Sequence, residues 1–535
     1  MPSVVSAPEL RRWLGDGSEI ALVDVNDGGP YSRGHILVAS SIPLSHFEVQ
    51  IRRMIPRRST RLVLTDDDGS TLERAAAMLE SHGYTNVCVL ADGNSGWTSA
   101  GYRLFAGSNI VSKAFGEVVE ARCGTPHIEA GTLKEWMDEA HPMVMVDVRP
   151  QAEFRTISIP GAANCPGMEA FVRVPSLVDD ESIPVVVNCA GRTRSIIGAQ
   201  TLRESGLRNP VFALKNGTMG WQLGGFAVDH GRSRMVDEPA AGDVEATRRT
   251  MRKFAADHAI EFVDRATLDE WLADDERTTY VFDVRLADAF ARRRFPGSIS
   301  APGGQLIQNT DTFAPVRNSR LVLVDEHESQ AVMTAHWLTR MGWDVRVLSD
   351  PVDHLTEQGD VSARTLGEPD PGVIPVDAAE LGRLMGSAGC VVVDVGESYW
   401  YREGRIPGSC FAMRSRLAAA LEVFDRSRMV VFVCGTGALS MFVAGDAQRF
   451  GFSRVGYLTG GRAEWRRSGG EIESIGPVDD DLVLTDTDDM WYPPWARAEG
   501  VEEAMAEYLS WEVGLVESVS AEEYLHFGEG FDTRG

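Results

Sequence analysis

The amino-acid sequence predicts an α/β protein of four tandem units, each a small parallel sheet with helices on both faces. Short apolar runs alternate with amphipathic segments along the chain, which is typical of a parallel sheet covered by helices. Two spacings repeat four times. A loop position at the end of an apolar run is followed seventeen residues later by a glycine that closes the next helix; these positions are Asp66, Cys189, Asp325 and Cys434. An aspartate in an Asp-Val pair precedes them by 42, 42, 42 and 40 residues; these are Asp24, Asp147, Asp283 and Asp394.

Length and composition agree with this organisation. At about 150 residues per domain, 535 residues suggest three or four domains. With 52 basic and 78 acidic residues the net charge is −26, which argues against nucleic acid and anionic membranes as partners. The N-terminus lacks a signal pattern, and the longest nearly apolar run, 429–445, is broken by Gly-Thr-Gly. Seven cysteines without a C-x-x-C pair predict neither a disulfide framework nor a zinc site, so we expect a reduced, cytoplasmic chain.

The four units can be followed through the same series of segments. After the Asp-Val pairs come "GHILVASSIP", "SIPGAA", "FPGSIS" and "RIPGSC". After the helices come the strand-like runs "NVCVL", "PVFAL", "DVRVL" and "RVGYL". Three of these lead to a segment with glycine and tryptophan, which the third unit, with "SDPVDHL", lacks. Residues 105–131 and 236–258 predict helical linkers, 356–375 a Pro/Gly-rich loop, and "VEEAMAEYLSWEVGL" a helix in an acidic tail.

These segments resemble those of the rhodanese-like sulfurtransferases. A strand that ends in cysteine, a five- to six-residue loop, a helix N-terminus and an upstream "DVR…IPGA" are the marks of that family. The second unit matches best, with "VVVNCAGRTRS" and "LKNGTMGW". The fourth unit's "CGTGALS" is similar to the mercaptopyruvate sulfurtransferase loop and departs from it at Ala438 and Leu439. The resemblance implies rhodanese-like domains at 1–108, 124–235, 256–360 and 373–475, followed by an acidic tail at 476–535.

The resemblance also implies a reaction. In this family a cysteine thiolate takes sulfane sulfur from thiosulfate or a related donor, becomes a persulfide, and passes the sulfur to cyanide or a thiol. The cysteine pKa must fall from about 8.5, and amide groups at a helix N-terminus favour the anion. We therefore expect Cys189 and Cys434 to be catalytic. The expected partners are a small-molecule sulfur donor and acceptor and also a sulfur-accepting protein, and we expect no cofactor and no metal.

The loop after Cys189 predicts an anion-binding site. Gly191 allows the backbone to curl, so that amide groups turn inward. Arg192 and Arg194 have the geometry to bind the oxyanion end of thiosulfate. Thr193 and Ser195 add hydroxyl donors, and Ser195 is placed to cap the helix. The alternative is a buried cysteine with two solvated arginines.

The loop after Cys434 has no basic residue. Its predicted substrate-binding residues are Gly435, Thr436 and Gly437. A cluster of arginines around the "RIPGSC" segment would meet the charge of an anionic donor; its members are Arg402, Arg405, Arg414 and Arg416. Arg414 and Arg416, which follow that segment, are the predicted substrate contacts. The alternative for each is an ordinary surface arginine.

Asp66 and Asp325 hold the cysteine position in the first and third units. A carboxylate cannot accept and pass on sulfane sulfur, so both domains are predicted to be inactive. Three other hypotheses stay open: polysulfide- or mercaptopyruvate-dependent transfer at Cys434 to a small organic acceptor, a sulfur relay between the two cysteines, and a non-catalytic sulfur carrier or scaffold. A cysteine phosphatase needs arginine six residues after its cysteine, where Ser195 stands here.

Overall fold

A computed structural model describes residues 2–359, 364–474, 482–497, 499–520, 522, 524, 525 and 527. It contains four sheets of parallel strands, each flanked by helices, which confirms the predicted α/β class. The chain separates into two compact bodies. Body 1 holds the first and fourth sheets with residues 482–497, and body 2 holds the second and third sheets with residues 499–520.

The first domain begins the chain. Its elements are β1 (Ser3–Val5), α1 (Ala7–Leu14), β2 (Ile20–Asp24), α2 (Gly28–Arg33), β3 (Ser40–Ser41), α3 (Phe47–Met54), β4 (Leu62–Thr65), α4 (Leu72–Ser81), β5 (Val87–Leu90) and α5 (Gly93–Ser99). The strand order is β1-β5-β4-β2-β3, with every pair parallel. Every residue of β2, β4 and β5 is buried, as their continuous apolar runs require.

The second domain follows a linker helix, α6 (Ile110–Cys123). Its elements are β6 (His127–Ile128), α7 (Ala130–Asp138), β7 (Val144–Asp147), α8 (Gln151–Thr156), β8 (Ala163–Asn164), α9 (Glu169–Arg173), β9 (Val185–Asn188), α10 (Thr193–Glu204), β10 (Val211–Leu214) and α11 (Gly217–Leu223). The order β6-β10-β9-β7-β8 repeats that of the first sheet. The linker α12 (Ala241–Asp257) comes next, and together with α6 it confirms both predicted linker helices.

The third domain departs from the pattern at its end. Its elements are β11 (Glu261–Val263), α13 (Arg265–Ala273), β12 (Thr279–Asp283), α14 (Ala287–Arg292), β13 (Ile299–Ser300), α15 (Gly303–Gln308), α16 (Thr310–Phe313), β14 (Val316–Arg317), β15 (Arg320–Val324), α17 (Ser329–Arg340) and β16 (Asp344–Leu348). The sheet order is β11-β16-β15-β12-β13. A short 3₁₀ helix, Pro351–His354, stands where the other domains have their last α-helix, at the place where the sequence lacks the Gly/Trp segment.

The fourth domain returns to the full pattern. Its elements are β17 (Ile374–Val376), α18 (Ala378–Gly386), β18 (Cys390–Asp394), α19 (Ser398–Glu403), β19 (Cys410–Phe411), α20 (Leu417–Ala420), β20 (Met429–Val433), α21 (Ala438–Arg449), β21 (Val455–Leu458) and α22 (Gly461–Arg467). The sheet order is β17-β21-β20-β18-β19. Two helices follow, α23 (Val501–Val513) and α24 (Leu515–Val519), and α23 confirms the helix predicted in the tail.

The register of the sheets explains the repeated spacing. In each sheet the aspartate of the Asp-Val pair lies opposite the residue just before the loop position. Asp147 pairs with Asn188, and Asp394 pairs with Val433. Both are at the carboxyl ends of neighbouring parallel strands, where ligands bind in open α/β sheets. Part of the predicted loop 356–375 and of the tail lies outside the described residues. Each helix that the structure describes is too short or too polar to span a bilayer.

Candidate active site

Cys189 directly follows the central strand β9 and precedes α10. Its side chain is 2% exposed, and its Sγ lies 3.4 Å from Ser195 Oγ. Asn188, the last residue of the strand, donates to Asp147 Oδ2 at 2.8 Å. The backbone amide of Thr218, at the start of α11, donates to the Cys189 carbonyl at 2.8 Å. The Gly/Trp segment therefore holds the loop in place from the opposite side.

The two loop arginines are already paired with carboxylates. Arg192 donates to both oxygens of Glu117, at 2.6 and 2.7 Å, and also to Glu120. Arg194 donates to both oxygens of Glu153, each at 2.8 Å. Arg192 is the last residue of the Cys189 loop, and Arg194 lies in the first turn of α10. Their role in substrate binding stays a prediction, and any donor would compete with these carboxylates.

Helix α23 of the tail packs on the same loop. Thr193 Oγ1 donates to Glu512 Oε1 at 2.7 Å, and Glu512 is 2% exposed. A Cβ on Gly191 would lie 2.9 Å from Met219 Cε and 3.1 Å from Glu512 Oε2, so this position favours glycine because of close packing. The sequence analysis missed Glu512, because nothing in the repeats connects it with the loop.

Burial governs the ionisation of Cys189. It raises the pKa of the thiol, and the nearby Glu512 carboxylate raises it further. The charge of Arg194 and the hydrogen bond with Ser195 act in the opposite direction and do not outweigh the burial. The Ser195 hydroxyl accepts from the Cys189 thiol and donates to the Arg192 carbonyl at 2.8 Å, so the prediction that Ser195 caps the helix is wrong. The Thr193 hydroxyl is turned to Glu512.

Cys434 has the equivalent place in the fourth domain, between β20 and α21. It is 4% exposed, and its Sγ lies 3.6 Å from Ser440 Oγ. The backbone amide of Gly437 donates to Cys434 Sγ at 3.2 Å. Gly437 has φ +86°, and a Cβ there would lie 2.8 Å from Leu458 O, so the curl of the loop requires glycine. The predicted nest of Gly435, Thr436 and Gly437 thus aims an amide at the sulfur.

The two predicted arginine contacts of Cys434 are paired with carboxylates. Arg414 donates to both oxygens of Glu48, at 2.7 and 2.8 Å, and to Asp446 at 2.7 Å. Arg416 is half exposed and faces Asp486 at 3.3 Å. Both guanidinium groups are therefore paired with carboxylates, and Arg414 joins α3 to α21 within body 1; their contact with a substrate at Cys434 stays a prediction.

Arg462 is the cation that the sequence analysis missed. Its backbone amide donates to the Cys434 carbonyl at 2.9 Å, the role that Thr218 has at Cys189. Its buried Nη1 lies 3.1 Å from Asp394 Oδ2, yet in the described part of the chain neither atom has a hydrogen-bond partner. A Cβ on Gly396 would lie 3.1 Å from Arg462 Nη2 and 3.7 Å from Cys434 Cα, so the guanidinium borders the Cys434 loop.

In the first and third domains the aspartate carboxylate accepts hydrogen bonds from the backbone amides of its own loop. Asp66 accepts hydrogen bonds from the amide of Gly69 and from the amide and hydroxyl of Thr71, the latter at 2.9 and 2.7 Å. The Gly69 amide corresponds to the Gly437 amide that meets Cys434. Asp325 accepts from the amide of Gln330 at 2.7 Å, and burial raises its pKa to about 6. In both domains the carboxylate occupies donors that a thiolate or substrate anion would need.

A cavity of about 220 Å³ lies between the second and third domains, within body 2. It is lined mainly by apolar and amide side chains, among them Val148, Met168, Met235, Val284, Gln305 and Gln330. Gln305 also accepts a hydrogen bond from Arg194 at 3.3 Å. One wall of the cavity is therefore connected to the Cys189 loop.

Comparisons with known proteins agree with this geometry. The family model of the rhodanese-like domain matches residues 6–100, 129–223, 264–352 and 377–468. A solved thiosulfate sulfurtransferase from Pseudomonas aeruginosa is 37% identical, with a TM-score of 0.89 over 98% of this chain and 99% of that one. The HTH-type transcriptional regulator Rv0324 of Mycobacterium tuberculosis is 33% identical over 93 residues, 17% of this chain. This chain spans 40% of that regulator. The four matched segments and the full-length structural relative show that the chain belongs to the rhodanese-like family, with four tandem domains.

Proposed function

We propose that this protein moves sulfane sulfur from thiosulfate or a related donor, through a persulfide on Cys434 and Cys189, to cyanide or a thiol. One observation carries the proposal. Each cysteine ends a central strand, precedes a twelve-residue helix, and has a serine hydroxyl close to its sulfur, at 3.4 Å for Cys189 and 3.6 Å for Cys434. At Cys434 the Gly437 amide also donates to the sulfur at 3.2 Å, and a helix N-terminus with such a donor suits an anionic sulfur.

The reaction at Cys434 has two steps. The thiolate attacks the outer sulfur of thiosulfate, a new S–S bond forms, and sulfite leaves with the electron pair of the old S–S bond. Cyanide or a thiolate then attacks the outer sulfur of the persulfide, and the S–S bond to Cys434 breaks. The product is thiocyanate or a new persulfide, and the electron pair of the broken bond restores the Cys434 thiolate. The Gly437 amide is placed to stabilise the sulfur anion in both steps, and the Ser440 hydroxyl, which donates to the Gly437 carbonyl at 3.1 Å, would have to turn toward the sulfur to do the same.

Two facts support an oxyanion donor at Cys434. The buried guanidinium of Arg462 borders the Cys434 loop, and its Nη1, 3.1 Å from Asp394 Oδ2, forms no hydrogen bond among the described residues. The full-length structural relative is called a thiosulfate sulfurtransferase. Polysulfide and 3-mercaptopyruvate are the alternative donors for this loop. The first and third domains, with their aspartate-filled loops, are proposed to be inactive in sulfur transfer.

Sulfur loading tests the proposal. The wild type, Cys189→Ser and Cys434→Ser would each be treated with thiosulfate, polysulfide or 3-mercaptopyruvate, and the intact mass would be measured for added sulfur. We expect up to two added sulfur atoms on the wild type and one on each variant. The matched control is Cys410→Ser, a buried cysteine at the start of β19, which should load like the wild type. A wild type that takes up no sulfur from any donor contradicts the proposal.

A further inference from the structure

A carboxylate of the tail helix borders the Cys189 loop. Glu512 is held by the hydroxyl of Thr193 through Oε1, whereas Oε2 is buried and meets no hydrogen-bond donor in the described residues. Oε2 would lie 3.1 Å from a Cβ on Gly191, two residues after Cys189. A buried carboxylate oxygen without a donor is costly, so its position at the reactive loop needs a reason.

The charges around Cys189 do not favour a dianion. Three cations are near the loop or Glu512, and each is matched by carboxylates: Arg192 by Glu117 and Glu120, Arg194 by Glu153, and Lys113 by Glu512 and Asp311. Lys113 is fully buried, with its ammonium group 5.2 Å from the Tyr508 ring and 4.9 Å from the Trp511 ring. With α23 in place, the three cations therefore face five carboxylates, and one of these, Glu512, lies beside Gly191.

We propose that Glu512 determines which donors Cys189 accepts, and that it selects singly charged sulfane donors over the dianion thiosulfate. The inference rests on the proposed function, because it assumes that Cys189 takes up sulfane sulfur. Cys434 is the contrasting site, since the guanidinium of Arg462 borders its loop and has an Nη1 that, although 3.1 Å from Asp394 Oδ2, meets no hydrogen-bond acceptor among the described residues.

A pair of donors isolates the effect of charge. Thiosulfate carries two charges and methanethiosulfonate carries one, and both transfer an outer sulfur from a sulfonyl-type sulfur. In each case the Cys189 thiolate attacks the outer sulfur, the donor S–S bond breaks, and its electron pair leaves with sulfite or methanesulfinate. The persulfide that remains on Cys189 is the same. A difference in rate therefore reports how the site treats the second charge of thiosulfate.

The experiment measures sulfur loading of Cys189 in a Cys434→Ser background. Initial rates with the two donors would be compared for this variant and for the same variant with Glu512→Gln, which keeps an acceptor for Thr193 and removes the charge. We expect the preference for methanethiosulfonate to fall roughly tenfold or more, the size expected for removing a unit charge several ångströms away at an effective dielectric constant of about 20. The matched control is Glu507→Gln, an exposed carboxylate on the same helix, which should leave the ratio unchanged.

Three outcomes decide the matter. If Glu512→Gln leaves the donor ratio unchanged while sulfur is still loaded, the inference is wrong and the proposed function stands. Should the glutamine variant not fold, the donor ratio at Cys189 is compared with that at Cys434 in a Cys189→Ser variant, and equal ratios overturn the inference. If neither donor loads either cysteine, the proposed function itself is wrong.

Discussion

Arg462 and Asp394 form a 3.1 Å ion pair beneath the Cys434 loop. In the second domain the same aspartate position is paired by the arginine of the Asp-Val-Arg segment, with Arg149 Nη2 2.7 Å from Asp147 Oδ2. In the fourth domain Gly396 replaces that arginine, so no side chain from this position lies next to Asp394. Arg462 of α22 pairs with Asp394 instead, so the positive charge beside the Cys434 loop comes from a different element of the domain.

Replacing Arg462 with Met should slow thiosulfate loading of Cys434 by roughly tenfold or more, because a buried cation near an anionic donor is removed. Loading by methanethiosulfonate should fall less, since this donor carries one charge. Rates would be measured by intact mass in a Cys189→Ser background. Arg416→Met is the control and should leave both rates unchanged, because Arg416 faces Asp486 on the surface. An equal loss with both donors would mean that Arg462 only supports the loop.

Arg414→Met should lower stability rather than sulfur transfer. Arg414 is a largely buried bridge between Glu48 and Asp446, so the substitution leaves two carboxylates without their cation and should cost about 3 kcal/mol in unfolding free energy. Denaturant unfolding measures it. Arg449→Met removes an exposed partner of the same Asp446 and should cost under about 1 kcal/mol. Loss of Cys434 loading in folded Arg414→Met would restore its predicted substrate role.

The first domain should lose stability as the pH rises. Burial raises the pKa of Asp24 to about 7, and Asn26 stands where the second and third domains have an arginine. The pKa of Asp24 is higher in the folded than in the unfolded chain, so protonated Asp24 favours the folded state. This contribution to the free energy of unfolding is complete below about pH 4 and is lost as the pH rises through about 7, a change of about 2–4 kcal/mol. Calorimetry of the full chain between pH 5 and 8 measures it. Asp24→Asn should flatten this dependence, the exposed control Glu73→Gln should not, and an unchanged slope in Asp24→Asn would contradict the assignment.

The aspartate of the first loop should matter for stability alone. In Asp66→Ala the Gly69 amide and both donors of Thr71 lose their acceptor, which should cost about 1–3 kcal/mol. Asp66→Asn keeps one acceptor and should lie between that variant and the wild type. Thermal unfolding measures the loss of stability in both variants. Sulfur loading of Cys189 and Cys434 should stay at the wild-type level. A fall in loading of Cys189 or Cys434 in folded Asp66→Ala would show that the first domain takes part in the chemistry.

Alkylation of Cys189 should keep rising with pH beyond the ordinary thiol range, because burial raises its pKa above about 8.5. Iodoacetamide labelling of the Cys434→Ser variant between pH 6 and 10, followed by peptide mass spectrometry, measures the profile. Glu512→Gln should shift the midpoint to lower pH, since a carboxylate that opposes the thiolate is gone. A plateau below pH 8, or identical midpoints in the two proteins, would contradict this description of the loop.

The repeats predicted the fold and the position of both cysteines well, because the relevant contacts are between neighbouring strands. The fixed spacing between Asp147 and Cys189 results from the register of the parallel strands β7 and β9. Because the spacing recurs in all four units, it can be read from the sequence. The sequence also predicted the place of Gly437, because the left-handed backbone at this loop position requires glycine.

The charges at the site could not be predicted in this way. Glu512 is 319 residues from Thr193, and Glu117 is 75 residues from Arg192, so only packing of separate helices brings them together. Arg462 was missed for a different reason. It stands in a segment interpreted through its glycines and tryptophan, and its side chain reaches Asp394 because Gly396 makes room for it.

The contact between α23 and the Cys189 loop has a consequence for biosynthesis. Residues 501–513 leave the ribosome after all four domains, although they complete a loop that belongs to the second. A nascent chain with three or four folded domains therefore presents Cys189 without Glu512 and without the cover of α23. If Glu512 selects donors as proposed, Cys189 meets anionic sulfur donors without that carboxylate until the helix docks, so the order of synthesis separates an unselective thiol from the finished site.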